Sequence, residues 1–132
     1  MPTPRKKKSE QIKSKELALR LARLAWEKNA EDIVVLDVSR LTQITDFFVL
    51  ITGQIDQHLK AISDHIVDTL KAQGIRPHHL EGETHRRWIL IDYVDVIAHL
   101  FLPEVRQFYD LEALWGEAEP LPLPFIEEGQ AT

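Results

Sequence analysis

The sequence predicts an α/β fold: a single domain with a mixed β-sheet of about five strands and flanking helices, in the order αββαβββα. Two nearly continuous apolar runs rich in β-branched residues, at 32–38 and 47–53, are typical of strands covered on both faces. Apolar residues recur at helical spacing at 17–25 and again at 59–70. Between residues 88 and 102, two further apolar runs joined by a tight connection predict a β-hairpin.

The first helix is predicted to begin at Ser14, which would serve as its N-cap, and to end near Asn29. The strands at 32–38 and 47–53 follow it. The polar residues 39–46 form the connection between these two strands.

The second helix is predicted to have Asp56 as its N-cap and to stop at Gly74. Pro77 then opens an extended segment that reaches Glu83.

The hairpin strands are predicted at residues 88–93 and 95–102. Pro103 follows directly and suits the first turn of a helix, so residues 104–115 are expected to form short helical turns.

Both ends of the chain are predicted to be disordered, which leaves residues 14–116 as the domain. Residues 1–13 form a basic arm rich in proline and lysine, and residues 117–132 form an acidic, proline-rich tail. Residues 1–15 carry six basic groups and one acidic group, whereas the rest of the chain carries 10 basic and 20 acidic groups. So acidic a domain favours a basic protein partner over nucleic acid, with at most a minor RNA contact by the arm.

Composition limits the class of protein. A chain of 132 residues with 44% hydrophobic content suits one domain with a sizeable core. The absence of cysteine excludes disulfides and thiolate metal sites. Without a secretory signal or an apolar run of about 18 residues, the expected protein is cytoplasmic and makes no membrane contact.

Motifs for catalysis are largely missing. The sequence contains no Gly-x-Gly-x-x-Gly, no phosphate loop and no Gly-x-Ser-x-Gly, and no cofactor is expected. Residues 78–85 hold three histidines and two glutamates, but in a strand these would point to both faces, which favours a polar edge strand over a metal site.

Asp92 and Asp95 are the strongest candidates for an alternative, enzymatic function. They would serve a metal-dependent nucleotidyltransferase or phosphohydrolase, although carboxylates in a hairpin turn more often accept backbone N–H bonds. His99 stands alone among apolar neighbours, which favours a structural or interface role over catalysis.

Several segments together resemble the ribosomal silencing factor family, also called Iojap, over roughly residues 14–116. The resemblance rests on segments 32–38, 44–53, 56–58, 81–82, 88–99 and 108–115 of this sequence. It implies a fold related to nucleotidyltransferases but without their catalytic motif, and no enzymatic activity. Members of the family bind the large ribosomal subunit through a uL14-type ribosomal protein on its intersubunit face. They sterically block joining of the small subunit and so repress translation under nutrient limitation.

The residues that match the family's docking motifs are expected to bind this basic ribosomal protein. They are Trp88, Leu90, Asp92, Tyr93, Asp95, His99, Phe101, Tyr109, Leu111, Leu114 and Trp115.

Strand alternation limits this set, because it places Trp88, Leu90 and Asp92 on one face and Ile89, Ile91 and Tyr93 on the other. At most one of these halves can face a partner. A long apolar strand at a sheet edge could also pair with a second copy to give a homodimer.

The chain departs from the family in two places. Val94 stands where glycine is usual, and because valine does not readily adopt positive φ, a different hairpin turn is expected. Gln54 and Ile55 stand where small polar residues are usual.

Overall fold

Within residues 8–126, which the computed structural model describes, with side chains from residue 13, a six-stranded mixed sheet carries helices on both faces. The elements are α1 (Lys8–Glu27), β1 (Glu31–Asp37), β2 (Phe47–Thr52), α2 (Asp56–Ala72), β3 (His79–Glu81), β4 (Trp88–Asp92), β5 (Val96–Phe101), α3 (Pro103–Tyr109), α4 (Leu111–Leu114) and β6 (Glu119–Pro120). The strand order is β3-β4-β5-β2-β1-β6. Strands β2 and β5 are parallel, and the other pairs are antiparallel. The predicted fold class is confirmed.

The position of the two central strands, β2 and β5, accounts for their continuous apolar sequences. Every residue of β2 and of β5 is buried, because both faces of the sheet are covered at its centre. A strand in this position has no solvent face and therefore reads as a continuous apolar run.

Helices α1 and α2 cover one face of the sheet, which we call the helix face. Helix α1 packs against β1 and β2, and α2 packs against α1, β4 and β5. Leu59, Ile62, Ile66 and Leu70 line the buried side of α2, at the spacing that the sequence predicts. Ile89 and Ile91 of β4 lie on this face and are fully buried.

Two predicted helix caps are wrong. Helix α1 begins at Lys8, and Ser14 lies inside it as a buried residue. Lysine, glutamate and glutamine between residues 8 and 13 are good helix formers, so a cap at Ser14 is not needed. At the start of α2, Ile55 occupies the N-cap position without a side-chain bond, and Asp56 is the first helical residue. Residues 1–7 of the predicted arm lie outside the described residues.

The tail is not disordered from residue 117 onward, which corrects the prediction. Strand β6 pairs with β1, with Pro120 opposite Leu36, and Leu121 donates its N–H to the carbonyl oxygen of Val35. Leu123 is buried, and the Phe125 ring lies 5.6 Å from that of Trp26 on α1. The tail therefore supplies a sixth strand. Residues 127–132 lie outside the described part of the chain.

The edges of the sheet are short. Strand β3 has three residues and β6 has two, while the longer apolar strands β2, β4 and β5 lie inside the sheet. Short polar edges discourage edge-to-edge pairing. The homodimer stays a prediction, because β6 pairs only with Leu36 and Asp37 of the seven-residue β1. Among the described residues, no helix is long and apolar enough to cross a bilayer.

Candidate docking surface

The hairpin register decides which half of β4 faces outward. Trp88 pairs with Phe101, Leu90 with His99 and Asp92 with Ile97. These side chains share the face opposite the helix face, and we call it the aromatic face. Trp88, Leu90 and Asp92 are each partly exposed there, whereas Ile89 and Ile91 are fully buried on the helix face.

Rings from both sides of the sheet centre meet on the aromatic face. The Trp88 ring lies 5.1 Å from Phe101 and 4.9 Å from Tyr109 of α3. Further along the face, Phe48 of β2 lies 5.3 Å from His99, and 5.2 Å from Trp115. Centroid distances in this range are favourable for aromatic pairs. The cluster thus fixes α3 and α4 onto the sheet and holds the indole of Trp88 in one place.

His99 has a structural role in this cluster, one of the two roles that the sequence predicts for it. The Trp88 Nε1–H donates to Nδ1 of His99 across 3.1 Å. His99 is only 7% exposed, and burial lowers its pKa to about 4. The imidazole is therefore neutral at physiological pH, and Nδ1 is free to accept the indole hydrogen.

Acidification is expected to destabilise the fold through His99. Its folded pKa of about 4 lies below the ordinary value of 6.5, so between these values only the unfolded chain binds the proton. This contribution to stability is fully present above pH 6.5 and is lost as the pH falls towards 4. Denaturant unfolding should show a loss of about 2 kcal/mol between about pH 7 and 5 from this group. The variant His99→Gln keeps an acceptor but does not titrate, so an equally steep pH dependence in that variant would contradict this assignment.

Helices α3 and α4 add exposed apolar side chains beside this cluster. Phe108 is 81% exposed, Tyr109 is 55% exposed and Leu114 is 71% exposed. Large apolar side chains in such positions, next to a half-buried tryptophan, are typical of a protein-binding surface. We define the docking surface as Trp88, Leu90, Asp92, Phe108, Tyr109 and Leu114.

A groove of about 430 Å³ lies at the Trp88 end of the docking surface, between β4 and α3. Trp88, Val105, Phe108 and Tyr109 form its apolar lining, and Arg87 and Glu104 provide its charges. Phe108 and Glu104 were not in the set predicted from the sequence. Within α3, Val105 is the buried residue. A helix of seven residues is too short for its sequence to show which side is exposed, so the exposed side is known only from the packing of the helix on the sheet.

The structure does not bring every predicted residue to this surface. Tyr93 is 7% exposed, and burial raises its pKa to about 12, so its ring is part of the core. Phe101 and His99 are buried beneath Trp88 and support it. Leu111 and Trp115 are half-buried and pack against the core. Asp95 is half-buried, and its carbonyl oxygen accepts hydrogen bonds from the N–H groups of Asp46 and Phe47.

In the hairpin turn, the expectation for the backbone at Val94 is wrong and the expected role of Asp92 is confirmed. Val94 adopts a φ of 74°, the positive value that valine was expected to avoid. The Asp92 carboxylate accepts the Val94 N–H across 2.7 Å, which is the turn role predicted for it.

Support for metal-dependent catalysis is lacking in the described part of the chain. The His79 ring pairs with Glu81 across 2.5 Å, as neighbours on one face of a strand can. Among the side chains described, no group of three or more histidines and carboxylates is placed to hold a metal ion. The enzymatic alternative at Asp92 and Asp95 gains no observation in its favour.

Known proteins are similar to this chain in sequence and in fold. The family model described as "Ribosomal silencing factor during starvation" matches residues 11–132. The chain is 37% identical to the ribosomal silencing factor RsfS of Bacillus subtilis (strain 168) over 99 residues, which cover 75% of this chain and 84% of that protein.

A mouse protein and a solved structure extend this similarity. "Mitochondrial assembly of ribosomal large subunit protein 1" of Mus musculus is 36% identical over 120 residues, covering 80% of this chain and 53% of that protein. A crystal structure from Bacillus halodurans matches with a TM-score of 0.72 and 33% identity, covering 82% of this chain and 99% of that chain. The resemblance found in the sequence is therefore confirmed, and the chain belongs to the ribosomal silencing factor family.

Proposed function

We propose that this protein binds the large ribosomal subunit through its docking surface and prevents the small subunit from joining. Family membership supports silencing of the ribosome, and the name of the mouse relative refers to the large subunit. The observation that carries the proposal is the half-buried Trp88, held by His99 and Tyr109 beside the exposed apolar side chains of α3.

The chemistry of this surface fits a basic ribosomal protein of the uL14 type. Aromatic side chains that are already ordered lose little conformational entropy on binding, so Trp88 and Tyr109 are suited to act as anchors. Glu104 on α3 lines the groove beside them, and Asp92 lies at the other end of β4. Acidic groups at the rim favour lysine and arginine on the partner and speed the encounter.

Silencing by this route needs no chemical step. The protein would cover the intersubunit face with its aromatic face, while the layer formed by α1 and α2 points away from the partner. This layer would occupy space that the small subunit needs. Inhibition then follows the fraction of large subunits that carry the protein, as expected for competition by mass action.

A charge reversal at the rim tests the proposal. Replacing Glu104 by lysine should weaken binding to purified large subunits by about 3- to 10-fold, chiefly through slower association and most clearly at low salt. Binding is measured by cosedimentation with the subunit. A matching basic-to-acidic change on the ribosomal protein should restore it.

Asp68→Lys is the matched control, since Asp68 is exposed on α2, in the helix layer on the opposite side of the sheet. Equal weakening by both variants would show that net charge, and not the docking surface, governs binding. Failure of the unaltered protein to sediment with the large subunit would reject the proposed function itself.

A further inference from the structure

The turn that joins β4 to β5 is strained at an exposed residue. Val94 has a φ of 74°, and Asp95 donates its N–H to the carbonyl oxygen of Tyr93 across 2.9 Å. A hydrogen bond between residues two apart, around a central residue with this φ, defines a classic γ-turn, which is rare and strained. A β-branched side chain makes this conformation still less favourable, whereas glycine adopts it freely.

The described residues offer no packing role for a valine here. Its side chain is 55% exposed, and Val94 is not among the apolar residues that pack against the core. The backbone bonds of the turn do not depend on the side chain. Backbone strain that persists where the side chain does not stabilise the fold indicates that the side chain serves a function, such as contact with another molecule.

We propose that Val94 is a contact residue at the far end of the docking surface, where it packs against the aliphatic stem of a lysine or arginine on the basic partner. This inference rests on the proposed function and extends the docking surface beyond the positions that match the family. Long basic side chains bury their methylene groups on apolar surface while the charge remains near its counter-ion.

Charge and position both favour this occupant. The Asp92 carboxylate lies at the turn, where it accepts the Val94 N–H. A cation whose stem lies on Val94 therefore has this carboxylate close to it. Strand β4 spans about 13 Å from Trp88 to Asp92 at about 3.3 Å per residue, so one standard-sized interface can cover both Trp88 and Val94.

Two substitutions separate the strain from the side chain. Val94→Gly removes both the strain and the side chain. Loss of the strain should raise the melting temperature by about 3 °C, and loss of the side chain should weaken binding to the large subunit by about 5- to 10-fold. Val94→Ala keeps a Cβ and the constrained turn but removes most of the contact. It should weaken binding to a similar degree with little change in melting temperature.

Asn29→Gly is the matched control. Asn29 also has a positive φ, of 60°, but lies after α1, away from the aromatic face, so this variant should leave binding unchanged. Wild-type affinity in both Val94→Gly and Val94→Ala, measured by cosedimentation, would overturn the inference while leaving the proposed function intact. Absence of binding by the unaltered protein would instead reject the proposed function, and this inference with it.

Discussion

Replacing Trp88 by alanine is expected to weaken binding to the large ribosomal subunit by about 100-fold. The indole contacts Phe101, His99 and Tyr109 together, and it is partly exposed on the docking surface. Its removal takes away the anchor and also leaves Nδ1 of His99 without its donor. Affinity is measured by titrating the protein against purified large subunits and separating bound from free protein.

Trp26→Ala is the control for this substitution. Trp26 is also a partly buried tryptophan, but it lies on α1 and contacts Phe125 of the tail. This variant should lose some stability and keep its affinity. Should Trp26→Ala and Trp88→Ala lose affinity equally, the loss would reflect general destabilisation, and the docking surface would have to be placed elsewhere.

Replacing Gly82 by alanine is expected to destabilise the fold by about 4 kcal/mol or more. A Cβ at this position would lie 1.9 Å from the carbonyl oxygen of Trp88, a backbone atom at the start of β4, and Gly82 also has a φ of 85°. Neither the clash nor the conformation can be relieved without displacing the start of β4. The melting temperature should fall by about 15 °C, or the chain should fail to fold.

Gly74→Ala separates the clash from the backbone conformation. Gly74 has nearly the same φ, 83°, yet no atom lies within 4 Å of the position that a Cβ would take. This variant should therefore cost only about 1 kcal/mol, the conformational part of the effect. Similar losses of stability at the two glycines, measured by denaturant unfolding, would contradict the close approach at Gly82.

Most of the fold follows from local patterns in the sequence. The continuous apolar runs of β2 and β5 predict central strands because only strands covered on both faces have no polar side. Strand β6 could not be predicted in this way. Its two residues lie in a proline-rich segment without periodicity, and its order depends on contacts far along the chain, such as that between Phe125 and Trp26.

The candidate site was predictable only in part. Alternation along β4 separates Trp88 and Leu90 from Ile89 and Ile91, but the choice of the outward half depends on where α1 and α2 pack. Tyr93 shows the limit of motif matching, because its ring is buried although it matches the family motif. The strain at Val94 depends on the backbone geometry of one turn, which no side-chain pattern reports.

Subunit joining is the most direct measure of the central claim, that the docking surface places this protein where it excludes the small subunit. Purified large subunits are first saturated with the protein, small subunits are then added, and assembled ribosomes are quantified on a sucrose gradient. The fraction of assembled ribosomes should fall in proportion to the fraction of large subunits that carry the protein. The variant Trp88→Ala, at the same concentration, should leave the assembled fraction at the value measured without any protein. Normal assembly on large subunits that demonstrably carry the protein would contradict the account.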